Sequence, residues 1–422
     1  MSNSRWRTSL VAVSLAAASA LGSGAALAQQ KAGPVEDPIR VVKIPKGQPI
    51  VIGTFHVLSG ADTALGTDVL RGIKVAVDDL GGKIGGHPIK LLEEDDGCNA
   101  EGGQTAATKI AANQQTVVAL GSACSSATRP AAPILWKAGI PDIATAASSP
   151  VLTAPDRGPD YQGLTRVVYN DLWAGREVAN WASKVLGYKR VATIHDGSPY
   201  AEKLVRVFQE NFKKLGGEIV ADEAISPTDT DMRPVLTKIA TAKPEMIYSP
   251  TFVGATSYLI RQKKEIPGLE KTRLIGSDAS MGAQLLEAAG KDVVGFEITS
   301  TALEPEAQGP KYKALREKYK KMFGEYPIQG FHGNGYDAMI MAADAIKKVS
   351  VTDKDGTTYV PVKKLRDAIF ATKNMDGVTG KITCDQYGDC GVYKFSVYAF
   401  TNDDPKSLDV GKNPKRVYPE KY

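Results

Sequence analysis

Short apolar runs along the chain alternate with longer stretches in which apolar residues recur every three or four positions. Residues 50–53 are typical of a buried strand, and Leu70, Ile73 and Val77 then recur at the spacing of a helix. Two glycines at 81–82 end that helical pattern. The pattern therefore predicts a strand followed by an amphipathic helix.

The same alternation continues along most of the chain. Further strands are predicted at 87–92, 116–120, 140–143, 190–195, 218–221, 245–248 and 273–276. Helices are predicted at 101–113, from 129 onward, and at 200–215, 232–241, 255–263, 309–323, 333–348 and 361–371, with a hairpin over 380–395. Buried strands that alternate with helices are typical of a parallel sheet covered on both faces. The rhythm restarts near residue 190, so we predict an α/β fold of two units.

The two ends of the chain do not follow this rhythm. Residues 1–28 combine a basic start, a short apolar centre and an Ala-x-Ala ending, which predicts a cleaved signal peptide and a periplasmic protein. No cysteine near that cleavage site offers a lipid anchor. We expect residues 29–47 to be a loose leader and residues 402–422 to be a basic C-terminal tail.

Charge adds little to this picture. The 422 residues contain 52 Lys and Arg and 47 Asp and Glu, and removal of Arg5 and Arg7 with the signal peptide leaves a net charge near +3. The basic residues are scattered, without the interleaved aromatic residues of a nucleic-acid site. We therefore expect no nucleic-acid partner, and the sequence after the signal peptide has no apolar run long enough to span a membrane.

The four cysteines are Cys98, Cys124, Cys384 and Cys390. Three pairings are possible in principle. We favour Cys98–Cys124 and Cys384–Cys390 because each pair lies within a local unit of the sequence. A metal site is the competing interpretation, but the chain has no Cys-x-x-Cys spacing and its four histidines are dispersed. We predict structural disulfides, no metal and no cofactor.

The most informative stretch is 121–128, which joins the strand at 116–120 to the helix that opens at 129. Ser125 or Ser126 would cap that helix. The free N–H groups at the start of a helix are suited to a carboxylate or phosphate, although Ser125 could serve only as a cap. Polar residues also follow three other predicted strands, at 59–60, 146–149 and 276–278. Ligands of open α/β sheets bind at this edge.

No catalytic centre is predicted. The chain after the signal peptide lacks a Gly-x-Ser-x-Gly elbow and a phosphate-binding loop of the correct spacing. His195 and Asp196 could be drawn as a base with its orienting group, but a histidine at a strand end is more often an ordinary loop residue. We therefore predict that the protein is not an enzyme, with an exported amidase-like enzyme as a distant alternative.

Several motifs together resemble the leucine/isoleucine/valine-binding proteins, which are periplasmic receptors of ABC importers with the type I substrate-binding fold. The residues that carry the resemblance are Ser59-Gly60, the glycines of 81–86, Asp95-Asp96-Gly97-Cys98, Cys124-Ser125-Ser126-Ala127-Thr128, Ala146-Ala147-Ser148-Ser149-Pro150, His195-Asp196-Gly197-Ser198-Pro199-Tyr200, Gly276-Ser277-Asp278 and Asp385-Gln386-Tyr387-Gly388-Asp389. The resemblance covers essentially the whole mature chain.

The resemblance implies two Rossmann-like lobes joined by a hinge of three crossovers, with the ligand between them. Lobe one is expected at 48–167 plus 300–377, and lobe two at 168–299 plus 378–401. The crossovers are expected near 166–171, 297–301 and 376–381. The family also carries the disulfide that Cys98 and Cys124 would form, whereas Cys384–Cys390 rests on local spacing alone.

The resemblance also implies roles for individual residues. Ser125 would bind a ligand carboxylate, Ala146 would offer its carbonyl to a ligand ammonium, and Ser148 would touch the same polar end. Tyr200 would line the cleft, and Asp278 would pair with the ammonium, where the family usually has Glu. Each has a simpler interpretation: Ser148 as a turn residue, Tyr200 as packing on its helix, and Asp278 as the cap of a helix near Met281.

Two positions depart from the family pattern. Phe252 stands where a second tyrosine would reach the carboxylate, and Leu65 replaces an aromatic wall of the side-chain pocket; Phe252 could equally be a core residue. We expect a monomeric receptor that delivers a branched-chain or other apolar amino acid to an ABC permease. The runner-up is the same fold binding an aromatic or aliphatic carboxylic acid or an amide.

Overall fold

The computed structural model describes residues 30–421. The predicted signal peptide lies outside the described residues. The helices are α1 (Thr63–Asp79), α2 (Ala100–Ala112), α3 (Ser125–Lys137), α4 (Asp171–Asn180), α5 (Ala201–Lys214), α6 (Arg233–Thr241), α7 (Val253–Lys263), α8 (Ala283–Ala289), α9 (Pro305–Gln308), α10 (Pro310–Phe323), α11 (His332–Val349) and α12 (Val362–Phe370).

The strands are β1 (Gln30–Ala32), β2 (Val35–Asp37), β3 (Val41–Ile44), β4 (Ile50–His56), β5 (Lys83–Ile84), β6 (His87–Asp95), β7 (Thr116–Gly121), β8 (Asp142–Ala144), β9 (Leu164–Arg166), β10 (Arg190–His195), β11 (Glu218–Ala224), β12 (Met246–Tyr248), β13 (Arg273–Ser277), β14 (Glu297–Thr301), β15 (Val351–Thr352), β16 (Thr358–Pro361), β17 (Met375–Asp376), β18 (Lys381–Ile382), β19 (Phe395–Ala399) and β20 (Lys415–Tyr418). A π-helical turn at Trp181–Val185 continues α4, and a 3-10 turn at Asp278–Ser280 follows β13.

Two sheets organise the described chain, and the predicted α/β class is confirmed. The first has the order β5-β6-β4-β7-β8-β9 and is parallel except for β5. The second has the order β11-β10-β12-β13-β14-β19-β20, with β19 and β20 antiparallel to their neighbours. We call the first sheet with α1–α3 and α10–α12 the first lobe, and the second sheet with α4–α8 the second lobe.

Close packing of small residues positions the helices of the first lobe. Strand β4 is buried along its whole length, and Gly53 leaves room for Ile110 of α2, whose Cγ2 would lie 2.6 Å from an added Cβ. Helix α11 approaches α1 at Gly72, where an added Cβ would lie 1.9 Å from the carbonyl oxygen of His332. Larger side chains at these two glycines would separate the layers.

Both segments expected to lie outside the sheets contain strands. In the leader, β3 pairs antiparallel with β16 and buries Val42 and Ile44. In the tail, β20 pairs with β19 of the second sheet. The expectation of a loose leader was wrong because the alternation of buried and exposed residues over 41–44 suits a strand at the edge of a covered surface.

The chain crosses between the lobes after β9, after β14 and after β18. The third crossing lies later than expected, because the backbone N–H groups of Val378 and Thr379 donate to Asp337 of α11, at 2.8 and 3.0 Å. Residues 378–382 therefore pack with the first lobe and not the second. The predicted hairpin over 380–395 was also wrong: β18 pairs with β17, and β19 pairs with β14.

Candidate ligand-binding site

A small cavity lies between the two lobes. All seven residues predicted to bind a ligand line it, together with Ala123, Cys124, Ala279 and Phe331: they are Leu65, Ser125, Ala146, Ser148, Tyr200, Phe252 and Asp278. They come from the carboxyl ends of strands in both sheets and from the helices that follow those strands. The structure thus brings together residues that are more than 200 positions apart in the sequence.

The first lobe contributes the start of α3 to this cavity. Cys124 is the N-cap, and its carbonyl oxygen accepts from the N–H groups of Ala127 and Thr128, at 3.2 and 3.0 Å. The prediction that Ser125 or Ser126 caps the helix was therefore wrong. Ser125 is the first helical residue, so its N–H and that of Ser126 have no acceptor within the helix. These donors lie at the positive end of a helix of 13 residues.

Two further contacts hold this helix start in place. Both predicted disulfides are present, and Cys98–Cys124 joins the loop before α2 to the N-cap of α3. Next to it, Asp96 accepts from the hydroxyl of Ser122 at 2.5 Å and from the N–H of Cys98 at 2.8 Å. Burial raises the pKa of Asp96 to about 6, and these hydrogen bonds oppose the rise.

The second lobe contributes Asp278, which directly follows β13. Its Oδ2 accepts from the hydroxyl of Tyr169 and from the hydroxyl of Ser300, the latter at 2.9 Å. Burial raises the pKa of Asp278 to about 6, and the two hydroxyl donors oppose the rise. Asp278 does not cap the next helix, because Gly282 is the N-cap of α8. Its carboxyl group is instead held at the cavity.

Aromatic and aliphatic side chains form the rest of the wall. The rings of Tyr200 and Phe252 are 5.6 Å apart and tilted by 54°, and the hydroxyl of Tyr200 donates to Ser277 at 2.9 Å. Tyr200 therefore faces the cavity and is not merely packed on its own helix. Leu65 and Phe331 supply apolar surface from the first lobe. The cavity accordingly has one polar end and an apolar wall.

Sequence reasoning missed the residues of the first crossover that support the site. The hydroxyl of Ser148 donates to Oδ2 of Asp171 at 3.0 Å, and Tyr169 holds Asp278. Burial raises the pKa of Asp171 to about 8, with a further contribution from the charge of Asp278, while Arg166 opposes the rise. Residues 169–171 have polar side chains shortly after β9, which ends at Arg166, but the sequence pattern predicted no strand there, so the signal that marked Ser125 was not available.

Hydrogen bonds join the lobes beside the cavity. Gln329 Nε2 of the first lobe donates to the backbone oxygen of Asp278 at 2.9 Å. Ser149 Oγ donates to the backbone oxygen of Pro199 at 2.7 Å. The two lobes are thus in direct contact around the cavity, as in a closed receptor.

The possible catalytic pair does not form. Nδ1 of His195 accepts from the N–H of Gly197 at 3.1 Å, and Asp196 accepts from the N–H of Ser198 at 3.0 Å. Among residues 30–421, no cluster of three or more His, Cys, Asp or Glu side chains is arranged to hold a metal ion. None of the helices in that range is long and apolar enough to cross a membrane.

Two α/β lobes that meet over a small cavity at their strand ends define a solute-binding receptor. The sequence profile of the family described as "Periplasmic binding protein" matches residues 49–397. The chain therefore belongs to this family, whose members bind solutes and are not enzymes. The predicted resemblance to receptors of the leucine/isoleucine/valine type is confirmed.

Three relatives illustrate the range of the family. An "Amino acid binding protein" of Pseudomonas aeruginosa is 28% identical over 353 residues, 83% of this chain and 89% of the relative. The branched-chain amino acid transporter substrate binding protein of Streptococcus pneumoniae, solved with isoleucine, is 25% identical with a TM-score of 0.73, over 86% of this chain and 98% of that one. A solute binding protein of Rhodopseudomonas palustris, solved with 3,4-dihydroxy benzoic acid, is 25% identical with a TM-score of 0.68. The match covers 83% of this chain and 93% of that one.

Proposed function

We propose that this protein captures a small apolar amino acid, a branched-chain one first of all, and delivers it to an ABC permease in the inner membrane. The observation that carries the proposal is the pairing of two opposite polar groups in one cavity. The start of α3 at Ser125 supplies free N–H donors, and Asp278 supplies a buried carboxyl group. An α-amino acid has one charged group for each.

The buried carboxyl group of Asp278 favours a ligand with a cationic group. A carboxylate taken out of water costs several kcal/mol unless a cation or hydrogen-bond donors compensate it. Asp278 has two hydroxyl donors, yet its pKa stays raised to about 6. A ligand ammonium would lower that pKa and would also reach the carbonyl of Ala146 and the hydroxyl of Ser148, which line the same cavity.

The apolar wall favours an uncharged side chain. Leu65, Phe252, Tyr200 and Phe331 surround the remaining space. A charged side chain would lose its hydration there without a partner. Leucine, isoleucine and valine fit these requirements.

A carboxylic acid without an ammonium group is the second candidate. The relative from Rhodopseudomonas palustris binds such an acid. In this chain, Asp278 with a pKa of about 6 would be protonated in part near neutral pH and would then donate a hydrogen bond to the acid. This alternative and the amino-acid proposal differ in the charge that Asp278 must carry.

Calorimetric titration of the mature chain distinguishes the two candidates. We expect leucine, isoleucine or valine to bind, and Asp278→Asn to weaken that binding at least tenfold, since a charge-assisted hydrogen bond contributes more than about 1.4 kcal/mol. Asp337→Asn is the matched control, because Asp337 is also buried with a pKa raised to about 6 but does not line the cavity. Binding of aromatic acids that survives Asp278→Asn, with no amino acid bound by the wild type, would support the second candidate instead.

The transport step has a separate test. Removal of this chain from its host should abolish high-affinity uptake of the amino acid that binds it, and the wild-type gene should restore that uptake. Restoration by the Asp278→Asn variant at low substrate concentration would contradict the proposed route.

A further inference from the structure

Arg166, the last residue of β9, holds the turn that carries Ala146 and Ser148. Its side chain is fully buried. Nη1 donates to the carbonyl oxygens of Ser149 and Ala147, at 2.8 and 3.4 Å. Nη2 donates to the hydroxyl of Thr153 at 2.6 Å. The guanidinium therefore fastens the backbone on both sides of Ser148 and the first turn beyond it.

Asp389 in turn holds Arg166. Its Oδ1 accepts from Nε of Arg166, with which it forms an ion pair, and from the hydroxyl of Thr153 at 3.0 Å. Its Oδ2 accepts from Nδ2 of Asn170 at 2.7 Å. Both carboxylate oxygens are thus used to join the turn, the guanidinium and the first crossover.

A small disulfide-closed loop positions Asp389. Cys384 and Cys390 are bonded to each other and are both buried. The backbone of this loop extends the first sheet past β9: the N–H of Arg166 donates to the oxygen of Gly388 at 2.9 Å, and the N–H of Cys390 donates to the oxygen of Arg166 at 3.0 Å. The loop therefore lies against the outer edge of β9.

We propose that the loop 384–390 is a positioning element of the ligand site, in which the disulfide holds Asp389, Asp389 holds Arg166, and Arg166 holds the turn 146–149. The loop does not line the cavity and acts only through the turn. This inference rests on the proposed function in one respect, because it takes Ala146 and Ser148 to be the groups that meet the ligand.

The charge of Asp389 is essential to this arrangement. A buried guanidinium without its carboxylate carries a desolvation cost that its remaining hydrogen bonds and the nearby Asp171 would offset only in part. Besides Asp389, the described partners of the Arg166 side chain are two carbonyl oxygens and one hydroxyl. Loss of the negative charge would favour movement of the guanidinium toward water and release of the turn.

The test compares Asp389→Asn with Asp222→Asn in the full mature chain. Asp222 of β11 pairs with Arg206 of α5 within the second lobe, and neither residue lines the cavity, so its variant also loses an arginine–aspartate pair without changing a contact between the lobes. We expect Asp389→Asn to weaken binding of the amino acid found by titration at least tenfold and Asp222→Asn to change it by less than twofold. Both affinities are measured at a temperature where circular dichroism shows folded protein.

Hydrogen exchange of the ligand-free protein gives an independent readout. We expect the amides of 145–149 to exchange at least tenfold faster in Asp389→Asn than in the wild type, and to be unchanged in Asp222→Asn. The Cys384→Ser/Cys390→Ser double variant keeps the charge of Asp389 and loses only the bridge. We expect this double variant to show smaller losses of ligand affinity and smaller increases in amide exchange of the turn. It provides the test if Asp389→Asn does not fold.

The outcomes separate this inference from the proposed function. Unchanged exchange of the amides of 145–149 in a folded Asp389→Asn or double-serine variant would overturn the positioning role, whatever the ligand. If the wild type binds no amino acid, the proposed function fails, while faster exchange of the turn still supports the positioning role. Equal loss of affinity in Asp389→Asn and Asp222→Asn would show a general effect of stability and would also overturn the positioning role.

Discussion

Gln329 of the first lobe donates its side-chain N–H to the backbone oxygen of Asp278 in the second lobe, at 2.9 Å. Both residues are buried. The hydrogen bond therefore joins the lobes at the residue proposed to bind the ligand ammonium. It links closure of the lobes to the geometry of the binding site.

Gln329→Ala should weaken ligand binding by about fivefold, since a neutral hydrogen bond contributes about 1 kcal/mol. The ligand-free variant should also be more open, which small-angle scattering detects as a larger radius of gyration. Gln262→Ala is the control: Gln262 bonds the backbone of Thr230 and Met232 within the second lobe only. An equal increase in radius for both variants would contradict the proposed link.

Amino-acid affinity should fall as the pH drops below about 6. The pKa of Asp278 is raised to about 6 by burial, and the ligand ammonium pairs only with the ionised carboxylate. The ionised fraction therefore increases with pH through that pKa, and affinity increases with it. Titrations from pH 5 to pH 7 measure the slope, which should persist in Asp337→Asn and disappear from the residual binding of Asp278→Asn.

His56 should destabilise the fold in acid. Its ring is fully buried, neither ring nitrogen has a hydrogen-bond partner, and burial lowers its pKa to about 3. The folded-state pKa is below the unfolded value, so the stabilising contribution is present above about pH 6.5 and is lost as the pH falls toward 3. Between pH 6.5 and pH 5 that loss is about 1.6 kcal/mol.

Urea unfolding of wild type and His56→Phe checks this expectation. The difference in unfolding free energy between the two proteins should shift in favour of the variant as the pH falls over that range. A constant difference would mean that His56 titrates normally in the folded protein. Only the difference is informative, because buried carboxyl groups with raised pKa values, such as Asp171, act in the opposite direction.

The two disulfides should differ in their effect on stability. Cys98–Cys124 closes a loop with a sequence separation of 26, and Cys384–Cys390 one of 6. From loop entropy, removing the first bridge should cost about 3.6 kcal/mol and removing the second about 2.4 kcal/mol. Urea unfolding of the two double-serine variants gives both values. A larger cost for the short loop would mean that its contacts with Arg166 outweigh its chain entropy.

Much of the fold and site was accessible from local sequence pattern. The positions of Ser125, Ala146 and Asp278 followed from one physical rule, that parallel strands present their carboxyl ends at one edge. The apolar periodicity that predicted β4 and α1 reflects which face of each element is buried. Such signals are local, so they can be identified in the sequence without knowledge of the tertiary packing.

The contacts that support the site were not accessible in this way. Arg166, Asp389 and Asp171 are ordinary polar residues in the sequence, and the first two are separated by 223 positions. The strands in the leader and tail were missed because their pairing partners, β16 and β19, are also distant in the chain. The cap of α3 was misassigned because Cys124 caps through its backbone, which side-chain type does not indicate.

The sequence by itself determined the α/β rhythm, the four cysteines in two local pairs and the polar strand ends that became the cavity. Those features depend on side-chain type and on spacing within about thirty residues. Only the tertiary structure decided which strands pair across the chain, how Tyr169 and Ser300 hold Asp278, and that Asp389 reaches Arg166. These contacts form between residues that are distant in the sequence. The free energy of burying a charged group such as Arg166 depends on the partners that the tertiary structure places next to it.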